Sequence, residues 1–297
     1  MPMKLIRDIL AAKKTAGKPA VSFEFFPPKT DDGDRNLLEN QIPALLATKP
    51  DFCSVTYGAG GSTRDKTLMI VDRIQREHSL TALAHLTCVN HTQAEVEALL
   101  GKFRELGCKN ILALRGDSPN GGEFQKTPGG FEYSAELVDF IRLQGDFSIG
   151  VAGFPEGHIA NKHGKLADWE HLRGKVSAGA DFVITQLFFD NQDYFKFRDY
   201  AAQKLGLNVP IIPGVISILN AAQIQRFTKL CGSKIPPALQ AKLDQLGNDD
   251  EAALNFGIEY ATEQCAALLR GGAPGLHFYT LNKAHSTVQI LKNLGLA

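Results

Sequence analysis

Apolar residues gather in eight short runs along the chain, and stretches with an amphipathic helical period separate them. The runs are VSFEFFPP (21–28), FCSVTYGA (52–59), TALAHLTC (81–88), NILALRGD (110–117), FSIGVAGFPEGH (147–158), DFVITQLFF (181–189), VPIIPGVI (209–216) and GLHFYTLN (275–282). Nearly all of them end in polar residues. Strands alternating with helices at roughly thirty-residue intervals predict an α/β fold, a single closed (β/α)8 TIM barrel. Functional side chains then belong at the C-terminal ends of the strands. Helices are expected over 36–47, on apolar Leu37, Leu38, Ile42, Leu45 and Leu46, and over 168–178, closed by Gly179. Another is expected over 92–106, with Thr92 as N-cap, Glu95 completing a capping box and Gly107 as the stop. The gap between the seventh and eighth runs is about twice the usual length. It predicts an extended helical insertion of two or three helices, broken at Gly232, Pro236–Pro237 and Gly247. The first twenty residues carry Lys4, Arg7 and Asp8 in a short amphipathic pattern. They predict a helix capping the bottom of the barrel, not a secretory leader.

The 297 residues suit one barrel with insertions. An apolar share of 44% supports a large core, and the 32 basic residues balance the 32 acidic ones. That balance argues against general nucleic-acid or membrane-surface binding, although a local basic pocket stays open. The five cysteines, Cys53, Cys88, Cys108, Cys231 and Cys265, have no C-x-x-C spacing. They read as reduced, mostly buried thiols of a cytoplasmic protein, and not as a disulfide or zinc framework. The segment 118–130 is rich in glycine and proline and is a candidate mobile loop.

Candidate chemistry sits at the strand ends. Ser22, Glu24 and Phe26 share one face of the first strand. A carboxylate among phenylalanines is unfavourable unless paired or protonated, so Glu24 is either partnered by a buried arginine or lysine or a carboxyl with a raised pKa, suited to general acid work. The fourth run ends in Arg115-Gly116-Asp117, either a turn or a site. The second ends in Thr56-Tyr57-Gly58-Ala59-Gly60-Gly61, a plain turn or a backbone cradle that matches no nucleotide fingerprint. His85, His158, His163 and His171 follow the third and fifth strands, and Lys162, Lys165, Arg173 and Lys175 lie in the same region. This is a solvated face or a diphosphate pocket; no metal spacing is present. Gln186 stands in a strand so apolar that its amide needs partners. A barrel aldolase or sugar-phosphate enzyme would want a strand-borne Schiff-base lysine and a late glycine-rich phosphate loop, and neither is evident.

The segments S-F-E-F-F-P-P, V-T-Y-G-A, H-L-T-C, A-L-R-G-D, A-G-A-D-F-V-I-T-Q-L-F-F-D, P-I-I-P-G and P-G-L-H-F-Y-T-L-N occur in that order. Together they closely resemble the methylenetetrahydrofolate reductase family in its short bacterial form, from about Val21 onward. The resemblance implies a barrel with non-covalent FAD that reduces 5,10-methylenetetrahydrofolate to 5-methyltetrahydrofolate for methionine synthesis, with NADH or NADPH as donor. It implies ping-pong transfer at one shared flavin face and a single catalytic barrel over 1–297 without a regulatory domain; the sequence does not fix the oligomeric state, and a homo-oligomer is expected. It makes Glu24 the general acid and Asp117 the carboxylate that tunes the flavin and favours the folate cation. It places Tyr57, Ala59, His85, Arg115, Gly116, Asp117, Phe154, His158, Asp168, His171 and Lys175 at FAD. Thr56, Gln186, Gln223, Phe227 and Lys283 fall on the nicotinamide and folate side. Phe154 stands where tyrosine is common, Lys283 where arginine is common and Ser217 where proline is common. A ferredoxin-type electron donor in place of NAD(P)H, or a non-catalytic folate- or flavin-binding barrel, are the alternatives.

Overall fold

The computed structural model describes residues 3–58, 64–118, 122 and 124–297. Its strands are β1 Ala20–Phe25, β2 Phe52–Val55, β3 Thr81–Thr87, β4 Asn110–Leu114, β5 Ser148–Gly153, β6 Phe182–Thr185, β7 Ile211–Ile212, β8 Gly214–Ile216 and β9 Gly275–Tyr279. All pair in parallel, in the order β7-β6-β5-β4-β3-β2-β1-β9-β8. The seventh run of the sequence is therefore realised as two strands. Pro213 has no N–H and interrupts the ladder between them. Before it, β7 pairs with β6; after it, β8 pairs with β9. One stretch of chain thus closes the ring by changing partners. The seam is pinned by Gly214 N–H donating to Thr185 Oγ1 (2.9 Å), Tyr279 Oη donating to Thr185 O (2.7 Å) and His277 N–H donating to Pro213 O (3.0 Å).

Strand alternation sorts the side chains into two sets. Phe23, Phe25, Cys53, Val55, Ala82, Ala84, Ile111 and Ala113 face the helices and join the main core. Ala20, Phe52, Leu83, Leu112, Phe182, Ile184 and Ile212 pack inside the ring with Ile6, Ile9 and Leu10 of the helix Ile6–Thr15. That helix closes the floor: Ile6 N–H donates to Asn110 Oδ1 (2.8 Å) and Arg7 N–H to Ser148 Oγ (3.0 Å). Further along the same inward positions the side chains turn polar, as Ser22, Glu24, Ser54, His85 and His277, all buried.

The helix Gln93–Glu105 has Thr92 as its cap with the full capping box, and Gly107 follows at φ +74°. The helix Lys165–Ser177 begins three residues before its expected start. Three helices, Ala221–Cys231, Pro237–Leu246 and Asp250–Arg270, fill the long insertion between β8 and β9. The expected helix over 36–47 is instead compound: α-helical at Asp31–Asn36 and Ile42–Leu46, with a π-helical turn at Leu37–Gln41. Pro43 has no N–H for the carbonyl of Glu39, and the backbone widens just before it, with Ile42 N–H reaching Leu37 O. Within 118–130, residues 119–121 and 123 fall outside the described residues. Among the described residues no helix is long and apolar enough to cross a membrane.

Candidate active site at the top of the barrel

The polar layer at the C-terminal ends of the strands is built around Glu24. Its Oε2 accepts a hydrogen bond from Ser54 Oγ (3.3 Å) on β2 and meets His277 Nε2 (3.5 Å) on β9. His85 Nε2 on β3 lies 3.3 Å from the same oxygen, but is not aligned to share a hydrogen bond with it. The parallel registers bring these groups level, since Glu24 stands opposite Ser54 on one side and Tyr279 on the other. Burial alone pushes the Glu24 carboxyl up, but the two imidazoles, His85 foremost, outweigh it and pull the group down to about 2. This corrects the expected apolar setting. Phe23 and Phe25 point away into the helix layer, Phe26 lies beyond the strand, and the partners are histidines instead of a lysine or arginine.

A second set gathers where β4 and β5 end. Phe154 and His158 meet edge to face at 4.6 Å, and Lys175 Nζ lies 5.6 Å from the Phe154 ring while donating to Ala152 O (2.9 Å). Crowding by protein atoms lowers Lys175 to about 8; Asp168 opposes that shift and Arg115 reinforces it. Burial likewise lowers His158, with Arg115 and Lys175 pushing the same way and Asp168 and Asp117 pulling back. Arg115, Asp117, His158, Asp168 and Lys175 are therefore one electrostatic neighbourhood, although far apart in sequence. Its cationic side chains fit an anionic diphosphate, and Asp168 in the first helical turn fits hydroxyl groups. Gly116 adopts φ +82°, and an added Cβ would sit 2.7 Å from Val89 Cγ2, so glycine is required for this turn.

The other expected site residues are spread around the same rim. Tyr57 is buried, with its hydroxyl 3.0 Å from His91 Nε2 and accepting from Arg64 Nε at 3.0 Å. Because His91 Nδ1 lies 2.7 Å from Val89 O, a carbonyl that can only accept, Nδ1 carries the proton and Nε2 accepts from Tyr57. Thr56 is tied down through its backbone, its N–H donating to Phe25 O (2.9 Å) and its carbonyl accepting from Thr67 Oγ1 (2.9 Å). Gln186 turns Oε1 onto Leu187 N–H (2.9 Å) and lines a small cavity with Phe154, Glu156 and Cys231. Gln223 accepts from Leu219 N–H (2.8 Å) and leaves Nε2 buried without a hydrogen bond, while Phe227 is half-buried on the insertion. Lys283 is exposed at the edge of a cavity of about 530 Å³ between the loops that follow β1 and β9. His171 is exposed on its helix, away from the buried part of the cluster, and Ala59 lies outside the described residues.

Sequence reading missed the part played by His277 and Ser22. Ser22 Oγ lies 2.8 Å from His277 Nδ1, and His277 is fully buried. The signal was present: Ser22 and His277 share the inward parity of Glu24.

Comparison with known proteins is consistent with this geometry. The family model described as methylenetetrahydrofolate reductase matches residues 6–295. The chain is 38% identical to the 5,10-methylenetetrahydrofolate reductase of Pectobacterium carotovorum, covering 94% of this chain and 91% of that protein. It is 42% identical to methylenetetrahydrofolate reductase (NADH) 1 of Arabidopsis thaliana, over 99% of this chain and 51% of that protein. The chain thus spans about half the length of the plant and fission-yeast relatives it matches. Among solved structures, an uncharacterized protein from Clostridium thermocellum that binds two copies of 5-methyl-5,6,7,8-tetrahydrofolic acid shares the fold. It does so at TM-score 0.65 and 16% identity, with 97% of each chain covered.

Proposed function

This chain belongs to the methylenetetrahydrofolate reductase family, and we propose that it reduces 5,10-methylenetetrahydrofolate to 5-methyltetrahydrofolate with NADH or NADPH as donor and FAD as bound cofactor. The observation that carries the reading is the pairing of a buried carboxyl–imidazole group at Glu24 with a rim of Arg115 and Lys175, and the imidazole of His158 beside them, on one barrel face. The folate-binding Clostridium protein supports a folate as the small-molecule partner, and the names of the plant relatives support NADH.

In this reading Glu24 gives a proton to a folate ring nitrogen and opens the five-membered ring. Asp117, exposed at the end of β4, favours the cation so formed. The amide of Gln186 is positioned to bind pterin and nicotinamide in turn, with Thr56, Gln223, Phe227 and Lys283 completing the substrate side. Arg115, His158 and Lys175 hold the cofactor diphosphate, Asp168 its ribose, and Tyr57, Ala59, His85, Gly116, Phe154 and His171 the remainder. The flavin, when bound, supplies the hydride relay between donor and folate. One shared face imposes ping-pong order. A cytoplasmic homo-oligomer feeding methionine synthesis, with no nucleic-acid or membrane partner, completes the proposal; the balanced charge supports it.

The test is an anaerobic visible spectrum of the purified protein, followed by NADH and then by methylenetetrahydrofolate. A flavin band that bleaches and then returns is expected. A band that only dithionite bleaches, and that the folate then restores, would replace nicotinamide by a protein donor. A colourless protein that FAD cannot reconstitute would overturn the flavin reading.

Lys175 provides a pH-linked check. Its ammonium titrates near 8 in the ligand-free site, and a diphosphate alongside would raise that value. Binding of FAD therefore takes up protons at pH 8.5 and weakens as the pH rises. Calorimetric titration of the apoprotein in two buffers of different ionisation enthalpy will show the uptake, and Lys175→Met will remove it. Uptake unchanged in that variant would place the diphosphate elsewhere.

A further inference from the structure

We propose that Glu156, in the loop that follows β5, is a positioning residue for the folate: its carboxylate latches the helix Ala221–Cys231 to the mouth of the barrel and so sets where Phe227 meets the substrate. The inference rests on the functional reading above, which puts Phe154 and His158 on the cofactor side and Gln223 and Phe227 on the substrate side.

Three features carry it. First, both carboxylate oxygens of Glu156 accept from one backbone donor, Lys234 N–H, at 3.1 and 3.2 Å. Among the described residues Glu156 has no ion pair. The neighbouring Lys165 is turned to Asp193 at 3.7 Å, so the carboxylate is held by the chain just beyond the helix. Second, the same turn is fixed by its neighbours. The buried Ser233 Oγ donates to Leu187 O after β6 (2.7 Å). Gly232 closes the helix at φ +75°, and an added Cβ would stand 3.0 Å from Ile159 Cβ. Residues 232–234 are thus fastened to the loops after β5 and β6, the loops that carry Phe154, His158 and Gln186. Third, among the described residues the other end of the helix makes only local polar contacts. Asn220 Oδ1 accepts from Gln223 N–H (2.8 Å), and Gln223 Oε1 accepts from Leu219 N–H (2.8 Å).

Along its length the helix lies on the barrel through Ile224, Phe227 and Cys231, one apolar stripe at helical spacing. Apolar contact holds two surfaces together without fixing how far one slides along the other. Hydrogen bonds have direction, so the register of the helix is set at its latched end. Phe227 stands one turn before that end. Its carbonyl accepts from Cys231 Sγ (2.9 Å), and Cys231 lines the same small cavity as Phe154, Glu156 and Gln186. A shift at the latch is therefore passed on to Phe227 relative to Gln186. Productive transfer needs reacting atoms about 3–3.5 Å apart, so a displacement of ~1 Å is felt in the rate. Glu156 acts through the helix and not by touching the folate.

The experiment compares Glu156→Ala and Glu156→Gln in the holoenzyme, with the two half-reactions followed separately by flavin absorbance. Alanine removes the acceptor; the glutamine carbonyl can still accept from Lys234 N–H. We expect Glu156→Ala to raise the methylenetetrahydrofolate concentration for half-maximal flavin reoxidation by about tenfold, the order expected for losing one hydrogen bond to a charged group. Glu156→Gln should stay within about threefold of the natural protein, since a neutral acceptor keeps the tether. Reduction by NADH should change less than about twofold in both variants, because Phe227 serves the folate in this reading. Equal loss in the alanine and glutamine variants, or equal loss in both half-reactions, would overturn the positioning role. A second readout needs no turnover. Amide hydrogen exchange should quicken across Ala221–Cys231 in Glu156→Ala and not in Glu156→Gln, with exchange in the floor helix Ile6–Thr15 unchanged. Unchanged exchange over Ala221–Cys231, or faster exchange in both helices, would overturn the latch. Failure of the natural sequence itself to reduce the folate would instead remove the functional reading.

Discussion

Replacing Glu24 by glutamine should lower methylenetetrahydrofolate reduction at least ~1000-fold, within the range general acid catalysis contributes, while NADH still bleaches the flavin. The substitution is nearly isosteric, and its amide can still meet Ser54, His85 and His277. The fold should therefore hold and the loss should be chemical. What disappears is a proton that can leave. Stopped-flow measurement of the two half-reactions separates the effects, and rapid turnover of the folate by Glu24→Gln would sink the assignment. The acid strength comes from a different source than the sequence implies. A carboxyl in an apolar pocket holds its proton because ionisation is unfavourable. Glu24 sits between two imidazoles that favour the anion, so the two histidines, and not an apolar pocket, set its acidity in the ligand-free site.

Truncating Phe52 to alanine should destabilise the protein by about 3–5 kcal/mol, the usual loss for a buried phenylalanine. Phe52 is fully buried and packs edge-on to Phe182 at 6.5 Å across the barrel interior. It belongs to the apolar floor that includes Ile6, Ile9 and Leu10. It is also the ring against which His277 lies. The cavity should therefore act twice, on the unfolding midpoint in urea and on the folate half-reaction, with the second effect persisting at temperatures where the variant is fully folded. A loss under about 1 kcal/mol would mean the floor relaxes around the gap.

Much of the fold was legible because its signals are local. Period-two runs marked each strand; Thr92 with Glu95 marked a helix start; Gly107, Gly179, Gly232 and Gly247 marked ends. The double role of the seventh run was not legible. Pro213 in the sequence says only that a ladder bond is missing, and the change of partner across it depends on how the ring closes. The site was legible as a set of strand-end residues, not as a set of distances. Strand parity places Ser22, Glu24, Ser54, His85 and His277 inside the ring, yet their shared level follows from register, which is set by pairing between segments far apart in sequence. For the same reason Glu24 looked apolar from its neighbours in the chain. Those neighbours face the other way, and its real surroundings come from β2, β3 and β9.

The pairing of β1 with β9 also sets a timetable for synthesis. Glu24 and His277 are separated by 253 positions. At the usual ribosomal pace of about 5–20 residues per second, the carboxylate waits roughly 13–50 s for its imidazole partner. Until its end β1 has no β9 beside it, and the ring above the floor helix stays open between β1 and β8. Proton donor and barrel closure thus become functional in the same final moments, when Gly275–Tyr279 leaves the ribosome and docks. A nascent chain stalled before that segment would hold the acid of this site without the imidazole that partners it.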